Sequence, residues 1–357
     1  MKVVVACGGT GGHAFPGIAV ACELRRRGHS VTVWESGRDV ESSVMRNWDG
    51  EIFSTGARQL SPKNVFGILR SVLRCRARMR KARPDVLLAM GAYSSLPPVL
   101  AARAYGVPVV LHEANAVPGR AVDFLSRYAA KVAVSFKSAE TFFPAGKAVL
   151  TGLPVRNGIA AGKKFDTVPE GAFTVFVTGG SQGAHAVNML AGEALCLVKK
   201  ELDAQGGGRA IYVIHQTGEK DEGAVMAVYA KAGVSARVNA FEREMADAFA
   251  SADLVISRAG ASTCFELAAC GKAALLIPLP TALRNHQAAN AEAFAAAGAA
   301  DVGVQSKLTA ESVCRYILSR MDNPARLKEM SERMRALGAG DAAAKTADTV
   351  EEAARVR

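Results

Sequence analysis

Residues 3–13, VVVACGGTGGH, join an apolar run to a glycine-rich loop that ends in a histidine. The stretch 174–185, TVFVTGGSQGAH, repeats this order, with Gly179 standing 171 positions after Gly8. Each apolar run suits a buried parallel strand, and a helical pattern follows each loop, the first ending near Gly28. Glycines at such a junction let backbone N–H groups and a helix N-terminus face an anion. The repeat therefore predicts two Rossmann-like domains in tandem.

Further strand-like runs predict the rest of two parallel sheets, because strands alternating with helix-length stretches are typical of α/β domains. In the first half these runs are Val31–Trp34, Val86–Met90, Val107–Leu111 and Val132–Ser135. In the second half they are Ile211–His215, Ala236–Ala240, Leu254–Ser257, Ala274–Pro278 and Ala300–Val304. Glycines and prolines in 152–172 predict a linker. We therefore expect one domain over 1–155, a second over 156–340 and a helical segment over 341–357.

Composition restricts the class of protein. Half of the 357 residues are hydrophobic and 22% are charged, which excludes a mostly disordered chain. The apolar runs fall far short of the ~20 residues that a membrane-spanning helix needs. The N-terminal run is too short for the core of a signal peptide. The seven cysteines include no Cys-x-x-Cys pair, which favours buried thiols in a reducing cytoplasm over disulfides or a zinc site.

The excess of positive charge lies in the first half of the chain. Residues 1–155 contain 21 Lys and Arg against 10 Asp and Glu, whereas the later residues contain 23 of each sign. The segment 52–84 has nine basic residues and no acidic one: Arg58, Lys63, Arg70, Arg74, Arg76, Arg78, Arg80, Lys81 and Arg83. Apolar residues recur beside them at helical spacing: Val65, Phe66, Ile68, Leu69, Val72 and Leu73. This pattern favours an amphipathic helix on an anionic membrane surface. A solvated helix face is an alternative, and so is nucleic acid, although no nucleic-acid-binding motif or interleaved aromatics accompany the charges.

Polar residues follow the predicted strands of the first half. His13 ends the first loop where a helix begins, which makes it a candidate general base, exposed and kept neutral by the helix N-terminus. Its alternative role is a backbone hydrogen bond at the start of that helix. His112, Glu113 and Asn115 follow the run 107–111, at the carboxyl edge of the sheet where ligands bind.

A second group of polar residues lies in the later half. Ser262 and Thr263 come after the run Leu254–Ser257 and open a helix, so they are ligand candidates or simple N-caps. Glu266 follows in the same helix, where an acidic residue can also serve the helix dipole. Arg156 stands in the linker zone. Each of these residues is a weak signal alone.

Two observations separate possible chemistries. The chain has no Asp-x-Asp pair, so we do not expect a metal-bridged diphosphate, and helix N-termini and basic side chains would have to stabilise a departing one. The first loop contains more glycines than the dinucleotide fingerprint and ends in His13. Glu35 nevertheless ends the second strand, where a dehydrogenase holds a ribose hydroxyl. An NAD-dependent oxidoreductase is therefore an alternative.

Taken together, the motifs resemble the MurG family, bacterial transferases that move N-acetylglucosamine (GlcNAc) from UDP-GlcNAc onto lipid I to make lipid II for peptidoglycan. The resemblance covers nearly the whole chain and rests on GGTGGHAFPGIA (8–19), LHEANAVPG (111–119), GLPVR (152–156), GGSQGAHAVN (179–188), SRAGASTCFELAACG (257–271) and NHQAANA (285–291). It implies the GT-B fold, in which two tandem Rossmann-like α/β domains with parallel sheets face a cleft. It also implies that the segment 341–357 crosses back to the first domain.

The resemblance implies a UDP-GlcNAc site carried mainly by the second domain. Its residues would be Thr10, Gly11, Gly12, Asn115, Arg156, Ser181, Gln182, Glu242, Ala261, Ser262, Thr263, Cys264, Phe265, Glu266 and Gln287. Ser181 and Gln182 would meet the diphosphate, and the backbone of Glu242 the uracil. Glu266 would accept hydrogen bonds from the ribose, and Gln287 would face the sugar hydroxyls.

The resemblance also implies an acceptor side on the first domain, with His13 as catalytic base and Tyr93, His112 and Glu113 nearby. In one displacement, the 4-OH of the N-acetylmuramic acid (MurNAc) of lipid I would attack the anomeric carbon of GlcNAc and release UDP. This would invert the α-linked donor, with no carboxylate nucleophile and no metal or other cofactor. The loop MGAYSSLPP (90–98) has fewer glycines than is usual in the family. A nucleotide-sugar epimerase of the same fold and a non-catalytic polyanion-binding protein are competing interpretations of the chain.

The implied partners are UDP-GlcNAc, lipid I, an anionic membrane surface contacted through residues 58–83, and proteins of cell-wall synthesis and cell division. Nucleic acid is not among them. The resemblance places such a protein peripherally on the cytoplasmic face of the bacterial inner membrane. Its role would be in cell-wall biogenesis, and through it in cell shape and the cell cycle.

Overall fold

A computed structural model gives the fold of the chain. It describes residues 1–9, 11–37, 45, 48–58, 64–206, 208–338 and 340–355. Thr10 and Lys63, both named above, lie outside the described residues. The chain divides into two compact units, the first formed by Met1–Asn157 with Ala339–Arg357 and the second by Gly158–Gly338. The sequence analysis put the corresponding limits at 155 and 340.

The first unit is built on a seven-stranded parallel sheet. Its strands are β1 (Lys2–Ala6), β2 (Ser30–Glu35), β3 (Ile52–Ser54), β4 (Val86–Ala89), β5 (Val109–Glu113), β6 (Lys131–Val134) and β7 (Ala148–Leu150). Its helices are α1 (Gly11–Arg26), α2 (Val65–Lys81), α3 (Leu96–Ala104) and α4 (Arg120–Leu125), with short 3₁₀ helices at Tyr93–Ser95, Ser126–Tyr128 and Lys137–Phe142. The strand order is β3-β2-β1-β4-β5-β6-β7.

The second unit is built on a six-stranded parallel sheet. Its strands are β8 (Phe173–Thr178), β9 (Ile211–Gln216), β10 (Ser235–Asn239), β11 (Leu254–Ser257), β12 (Ala274–Leu276) and β13 (Ala300–Val302). Its helices are α5 (His185–Ala204), α6 (Glu222–Ala232), α7 (Met245–Ser251), α8 (Ala261–Cys270), α9 (His286–Ala296), α10 (Ala310–Met321) and α11 (Pro324–Ala336), with 3₁₀ helices at Ile159–Ala161, Leu283–Asn285 and Gln305–Lys307. The strand order is β10-β9-β8-β11-β12-β13.

Both sheets share one arrangement of their central strands. In the first unit β1 lies beside β4, and in the second β8 lies beside β11. Connections leave these two strands toward opposite sides, which opens a crevice at their carboxyl ends. The loops after β1, β4, β8 and β11 carry many of the candidate residues, and others follow β5, β10 and β12 at the same edges. The predicted α/β class with two Rossmann-like parallel-sheet domains is confirmed.

The predicted strands all occur, with ends shifted by up to two residues. The largest shift is in β5, predicted over 107–111 and observed over Val109–Glu113. Pro108 lacks an N–H and so cannot enter the ladder as a donor, which delays the start of the strand. The prediction that His112 and Glu113 follow the strand is therefore wrong, since both end it. The three-residue edge strands β3 and β7 were not predicted.

The last helix, α12 (Ala342–Arg355), belongs to the first unit and packs against α1. Its apolar face buries Ala347, Val350 and Ala353 in the core of the first sheet. Arg27, just after α1, forms two hydrogen bonds with α12. Its guanidinium donates to Asp348 Oδ1 at 2.6 Å and to Ala344 O at 3.1 Å. Among the described helices, none has both the length and the apolar composition required to cross a bilayer.

A buried polar chain crosses the core of the second unit. The Tyr229 hydroxyl lies 2.8 Å from His215 Nδ1, and His215 Nε2 lies 3.2 Å from Asn188 Oδ1. The Asn188 amide donates to Thr217 O and to Asp221 Oδ2, each at 2.7 Å. Burial lowers the pKa of His215 to about 3, against a small opposing effect of Asp221. His215 is therefore neutral, so one of its ring nitrogens donates a hydrogen bond and the other accepts one.

The buried His215 makes the free energy of unfolding depend on pH. Folded His215 stays neutral down to about pH 3, whereas the unfolded ring protonates below pH 6.5. Its contribution is therefore present above pH 6.5 and is lost as the pH falls, at ~1.4 kcal/mol per unit. When the pH falls from 6.5 to 5, the unfolding free energy of both proteins should fall. We expect the fall to be about 2 kcal/mol smaller in His215→Gln than in the parent, because the variant lacks the titrating ring. Urea unfolding at the two pH values measures this, and equal losses in both proteins would contradict it.

Candidate functional site

His13 stands in the first turn of α1, beside the end of β4. Its ring is half-buried, and Nδ1 lies 2.9 Å from the carbonyl oxygen of Met90. A carbonyl oxygen only accepts hydrogen bonds, so Nδ1 carries the proton and donates it. In the neutral ring Nε2 then keeps its lone pair. The hydrogen bond thus fixes the tautomer that a general base at Nε2 needs.

The surroundings of His13 also keep it uncharged. Burial lowers its pKa below the ordinary value of 6.5, and the Met90 hydrogen bond opposes this only in part. From the sequence, we expect an exposed ring held neutral by the helix N-terminus. The expected exposure is wrong, because the ring is half-buried, and burial is the cause of the shift. Its role as a base stays a prediction.

Two glycines lie beside the ring carbons on either side of Nε2. A Cβ added at Gly9 would lie 3.8 Å from His13 Cδ2, and one added at Gly91 would lie 3.8 Å from Cε1. These ring carbons flank Nε2, so a Cβ at either position would be in ordinary van der Waals contact with the ring next to the basic nitrogen. The Ser94 hydroxyl donates to Gly8 O and fastens the first glycine loop to the segment after β4.

Ala92, between Gly91 and Tyr93, has a strained backbone. Its φ of 60° and ψ of 172° fall in a region that essentially only glycine populates. The thinning of glycines in 90–98 noted in the sequence therefore has a structural cost of about 1–3 kcal/mol. The rigid neighbours on both sides, including the 3₁₀ turn Tyr93–Ser95, hold the residue there.

We expect Ala92→Gly to stabilise the first unit. The relief of strain exceeds the ~0.5–1 kcal/mol of chain entropy that an added glycine costs. A net gain near 1 kcal/mol raises Tm by roughly 2–4 °C in a domain of this size. Ala77→Gly, in the exposed interior of α2, is the matched control and should lower Tm. Calorimetry compares the two variants, and a lower Tm for Ala92→Gly would contradict the account.

Glu113 organises the loop after β5. It is 3% exposed, and its Oε1 accepts from Asn115 N at 2.8 Å and from Asn115 Nδ2 at 3.1 Å. Its Oε2 accepts from Gly119 N at 2.9 Å. Burial raises the pKa of Glu113, and these hydrogen bonds only partly oppose the shift. The carboxyl group is therefore occupied in positioning Asn115.

His112 and Arg156 are also fixed within the first unit. His112 Nε2 lies 3.4 Å from Gly152 O, and burial lowers the pKa of this histidine to about 4. The Arg156 guanidinium stacks over the ring of Phe15 in α1, 4.3 Å from its centroid. Through Phe15 the arginine stands next to the first turn of α1, which carries Gly11, Gly12 and His13.

In the second unit, the predicted diphosphate residues Ser181 and Gln182 are exposed in the loop between β8 and α5. Gln216, at the end of the neighbouring β9, holds this loop by donating from Nε2 to Gly180 O at 2.8 Å. The loop is followed directly by the N-terminus of α5. Such a helix start attracts anions through its free N–H groups and its dipole.

Helix α8 presents a second helix start beside this loop, after β11. Its N-cap is Gly260, with no side-chain capping bond, so the N-cap alternative for Ser262 and Thr263 is wrong. Both residues are half-buried in the first turn. Glu266 follows one turn later and is 5% exposed.

Cys264 and Phe265, placed in the predicted site, lie in the core. Burial raises the pKa of Cys264 to about 12, and Phe265 packs edge-on against Phe294 with centroids 5.7 Å apart. Ala261, at the start of the same helix, is buried as well. These three residues can meet a ligand only through the backbone.

Glu242 and Gln287 are already engaged by the protein. The Glu242 carboxylate accepts from Arg237 Nε at 3.0 Å and from Asn239 Nδ2 at 2.8 Å, and its own N–H donates to Gln216 Oε1. Burial acts to raise the pKa of Glu242, but these hydrogen bonds lower it overall. Gln287 Oε1 accepts from Leu279 N at 2.9 Å. An expected uracil contact by the Glu242 N–H would therefore have to displace Gln216.

Arg258 is a residue that the sequence analysis missed. It follows β11 directly, is 8% exposed, and donates from Nη1 to Ile277 O at 3.1 Å and Pro278 O at 3.3 Å. Among the described residues no carboxylate pairs with it, and burial lowers its pKa. A charged residue immediately after a buried strand at the carboxyl edge was the available signal. Its positive charge adds to the two helix N-termini.

The candidate residues thus form one cluster at the carboxyl edge of each sheet. The first contains a neutral imidazole whose Nε2 keeps its lone pair, and the second contains two helix N-termini and a buried arginine. The first suits proton abstraction and the second suits an anionic ligand. Within the described parts of the chain, no three His, Cys, Asp or Glu side chains converge as metal ligands.

Comparison with known families identifies the class of this two-domain protein as the glycosyltransferases. The family model for the glycosyltransferase family 28 N-terminal domain matches residues 3–134, and the C-terminal domain model matches 174–350. A crystal structure of Acinetobacter baumannii MurG is 31% identical, with a TM-score of 0.77, covering 98% of this chain and 99% of that one.

Curated relatives are similar in sequence to this protein along nearly its whole length. The UDP-N-acetylglucosamine–N-acetylmuramyl-(pentapeptide) pyrophosphoryl-undecaprenol N-acetylglucosamine transferase of Geobacter sulfurreducens is 38% identical over 96% of both chains. The Myxococcus xanthus transferase of the same name is 37% identical over 98% of this chain and 92% of its own. The chain therefore belongs to the MurG family of glycosyltransferases. A UDP-GlcNAc 2-epimerase from Neisseria meningitidis has a TM-score of 0.74 at 14% identity, covering 99% of this chain and 100% of that one, and shares the fold alone.

Proposed function

We propose that this protein transfers GlcNAc from UDP-GlcNAc to the 4-OH of MurNAc in lipid I, inverting the anomeric carbon and forming lipid II. The observation that carries the proposal is the identity of 38% with a transferase of that name over 96% of both chains. Transfer of labelled GlcNAc from UDP-GlcNAc to a lipid I analogue tests it. Formation of UDP-N-acetylmannosamine, or of UDP and N-acetylmannosamine with consumption of water, in the absence of lipid I would instead identify an epimerase.

The second unit supplies the donor chemistry in this proposal. Negative charge develops on UDP as the bond to the sugar breaks, so preorganised positive groups lower the barrier. The N-termini of α5 and α8 and the buried Arg258 are such groups. They are held by the sheet before any ligand binds, so they need little reorganisation. Ser181 and Gln182 would contact the diphosphate and Glu266 the ribose.

The first unit supplies the base. The acceptor hydroxyl must lose its proton as it attacks the anomeric carbon, and His13 Nε2 is the unprotonated nitrogen in this cluster that faces away from the Met90 hydrogen bond. The proton then resides on Nε2, and the carbonyl of Met90 stabilises the imidazolium through Nδ1. Glu113 orders the Asn115 loop beside this position and acts as a positioning residue.

We expect His13→Gln to lower kcat by ~10²–10⁴ while KM for UDP-GlcNAc stays within about twofold, because the base acts in the transition state. His29→Gln, on another face of the same unit, is the control and should retain kcat. Steady-state kinetics with a lipid I analogue measures both. A small change in kcat with a large rise in acceptor KM would make His13 a binding residue instead.

We expect Glu266→Gln to raise KM for UDP-GlcNAc by roughly tenfold or more, because a hydrogen bond to a buried carboxylate contributes ~1.5–3 kcal/mol. Glu292→Gln on the exposed side of α9 removes the same charge away from the site and is the matched control. UDP inhibition constants complete the measurement. Unchanged KM and unchanged UDP inhibition would remove Glu266 from the donor site.

The first unit also has a surface suited to the lipid acceptor. Helix α2 turns Ser71, Cys75 and Met79 inward, and its apolar residues Phe66 and Leu69 outward, with Phe66 87% exposed. Val65 and Leu73 are also exposed, at 56% and 54%. Basic residues surround them, as the sequence predicts for a helix at an anionic interface. We define this surface, Val65, Phe66, Leu69 and Leu73, as the apolar face of α2.

The proposal is that this face docks the protein peripherally on the cytoplasmic membrane, where lipid I lies. Not all nearby arginines are available to lipid: Arg78 binds Glu51, and Arg74 and Arg78 lie over the ring of Phe53. Arg70, Arg76 and Arg80 are exposed. Electrostatic attraction from such residues is weakened by salt, whereas insertion of Phe66 and Leu69 is not.

We expect replacement of Phe66, Leu69 and Leu73 by serine to weaken binding to phosphatidylglycerol vesicles at least about tenfold at high salt, because each buried apolar side chain contributes ~1.5–3 kcal/mol. Replacing Met226 and Val228, exposed apolar residues of the second unit, is the control and should leave vesicle binding unchanged. Vesicle sedimentation at low and high salt measures the effect. Equal binding by the triple variant and the parent would show that the face is only solvated.

A further inference from the structure

A groove of about 790 Å³ lies at the amino edge of the second sheet. One wall is formed by residues that precede or begin four adjacent strands: Arg209 and Ala210 at β9, Ala172 and Phe173 at β8, Asp253 at β11, and Lys272 at β12. The other wall is α11. The donor loops lie at the carboxyl edge of the same sheet, so the groove is separated from them by the length of a strand, about 13–20 Å.

The groove has the length of a nucleotide. Four neighbouring strand starts, spaced ~4.8 Å apart, span about 14 Å. Along the opposite wall, Pro324, Leu327, Ser331 and Arg335 line the groove from α11 at helical spacing. The stretch from Pro324 to Arg335 covers about 16 Å of helix. Phe173 and Leu327 are half-buried and give the middle of the groove an apolar surface.

The charges that line the groove are mostly positive and are not evenly compensated. Five basic residues (Lys164, Arg209, Lys272, Lys328, Arg335) face two acidic ones (Asp253, Glu332). At the β9 end Arg209 is paired with Asp322, and Lys328 pairs with Glu332 at 3.9 Å. Among the described residues, Lys164, Lys272 and Arg335 form no ion pair. Asp253 acts on Lys272 as an opposite charge, so Arg335 carries the least compensated charge at the β12 end.

Lys272 and Arg335 are held in place there. Lys272 Nζ donates to Ala250 O at 3.2 Å and to Ala252 O at 2.9 Å, at the C-terminal end of α7, which leaves one of its three N–H donors. The Arg335 guanidinium rests on Gly271, where a Cβ would lie 2.7 Å from Nη2. Burial lowers the pKa of Lys272, the nearby Asp253 opposes the shift, and Arg335 adds a smaller effect in the same direction as burial. An anion beside both side chains would meet the remaining N–H donor of Lys272 and the guanidinium of Arg335.

We propose that the groove binds a nucleotide-sized polyphosphate, with its phosphates at Lys272 and Arg335 and its base against Phe173 and Leu327. An acidic peptide fits less well, because it would need open positive charges along the whole groove, and those at Arg209 and Lys328 are already paired. The site is distinct from the donor loops and goes beyond the transferase activity. Strands β8 and β11 begin at this groove and end at the donor loops, so the two sites share a rigid sheet.

Calorimetric titration with ATP tests the proposal, in the full chain, with and without saturating UDP. We expect saturable ATP binding under both conditions. Arg335→Gln should weaken it at least about tenfold, the loss of one phosphate hydrogen bond of the charged class. Arg335→Lys should retain most of the affinity. The matched control is Arg326→Gln on the same helix, outside the groove, and it should change affinity by less than about twofold.

Three results would overturn the proposal. They are the lack of saturable ATP binding in folded protein, full competition of ATP by UDP, and equal weakening by Arg335→Gln and Arg326→Gln. Pyrophosphate alone should bind more weakly than ATP, because it lacks a base; equal affinity would remove the contact with Phe173 and Leu327. Tighter binding of a hexaglutamate peptide than of ATP would replace the nucleotide by a protein partner. Failure of UDP to bind would count against the transferase and not against this groove.

Discussion

The hydrogen bond from His13 Nδ1 to Met90 O joins the two central strands of the first sheet to the chemistry of the protein. His13 follows β1 and Met90 follows β4, so the bond connects the ends of the two neighbouring strands at which the strand order reverses. It fixes the ring proton on Nδ1 and leaves Nε2 basic. Gly9 and Gly91 lie beside the ring of His13, and the strained Ala92 follows Gly91 directly.

The second sheet uses the same topology for another purpose. Its central strands end in two helix N-termini, at α5 and α8, and in Arg258, whose charge is buried without a carboxylate partner among the described residues. Burying a guanidinium is unfavourable unless an anion or well-placed acceptors compensate it. Two backbone carbonyls do so only in part. The fold thus retains positive potential at this edge, which suits a diphosphate, while the opposite edge holds the groove at Lys272 and Arg335.

Much of the fold follows from the sequence because long apolar strands and glycine loops determine it locally. The MurG resemblance rested on the same loops and was confirmed by relatives that match along the whole chain. Edge strands such as Ile52–Ser54 were missed because three residues carry too little pattern. The end of β5 was misplaced because burial of His112 and Glu113 is a tertiary effect. The tight engagement of Glu242 and the role of Arg258 depend on contacts between distant segments, which no local pattern contains.

The central claim is that His13 is a neutral imidazole with its proton on Nδ1. Nitrogen-15 NMR of the histidine rings, assigned with His13→Gln, measures this directly, because the shifts of protonated and unprotonated ring nitrogens differ widely. The account predicts an Nδ1–H tautomer with an unprotonated Nε2 at pH 7 and a titration midpoint below 6.5, since burial lowers the pKa. A proton on Nε2 at pH 7, either as the other tautomer or as imidazolium, would contradict it.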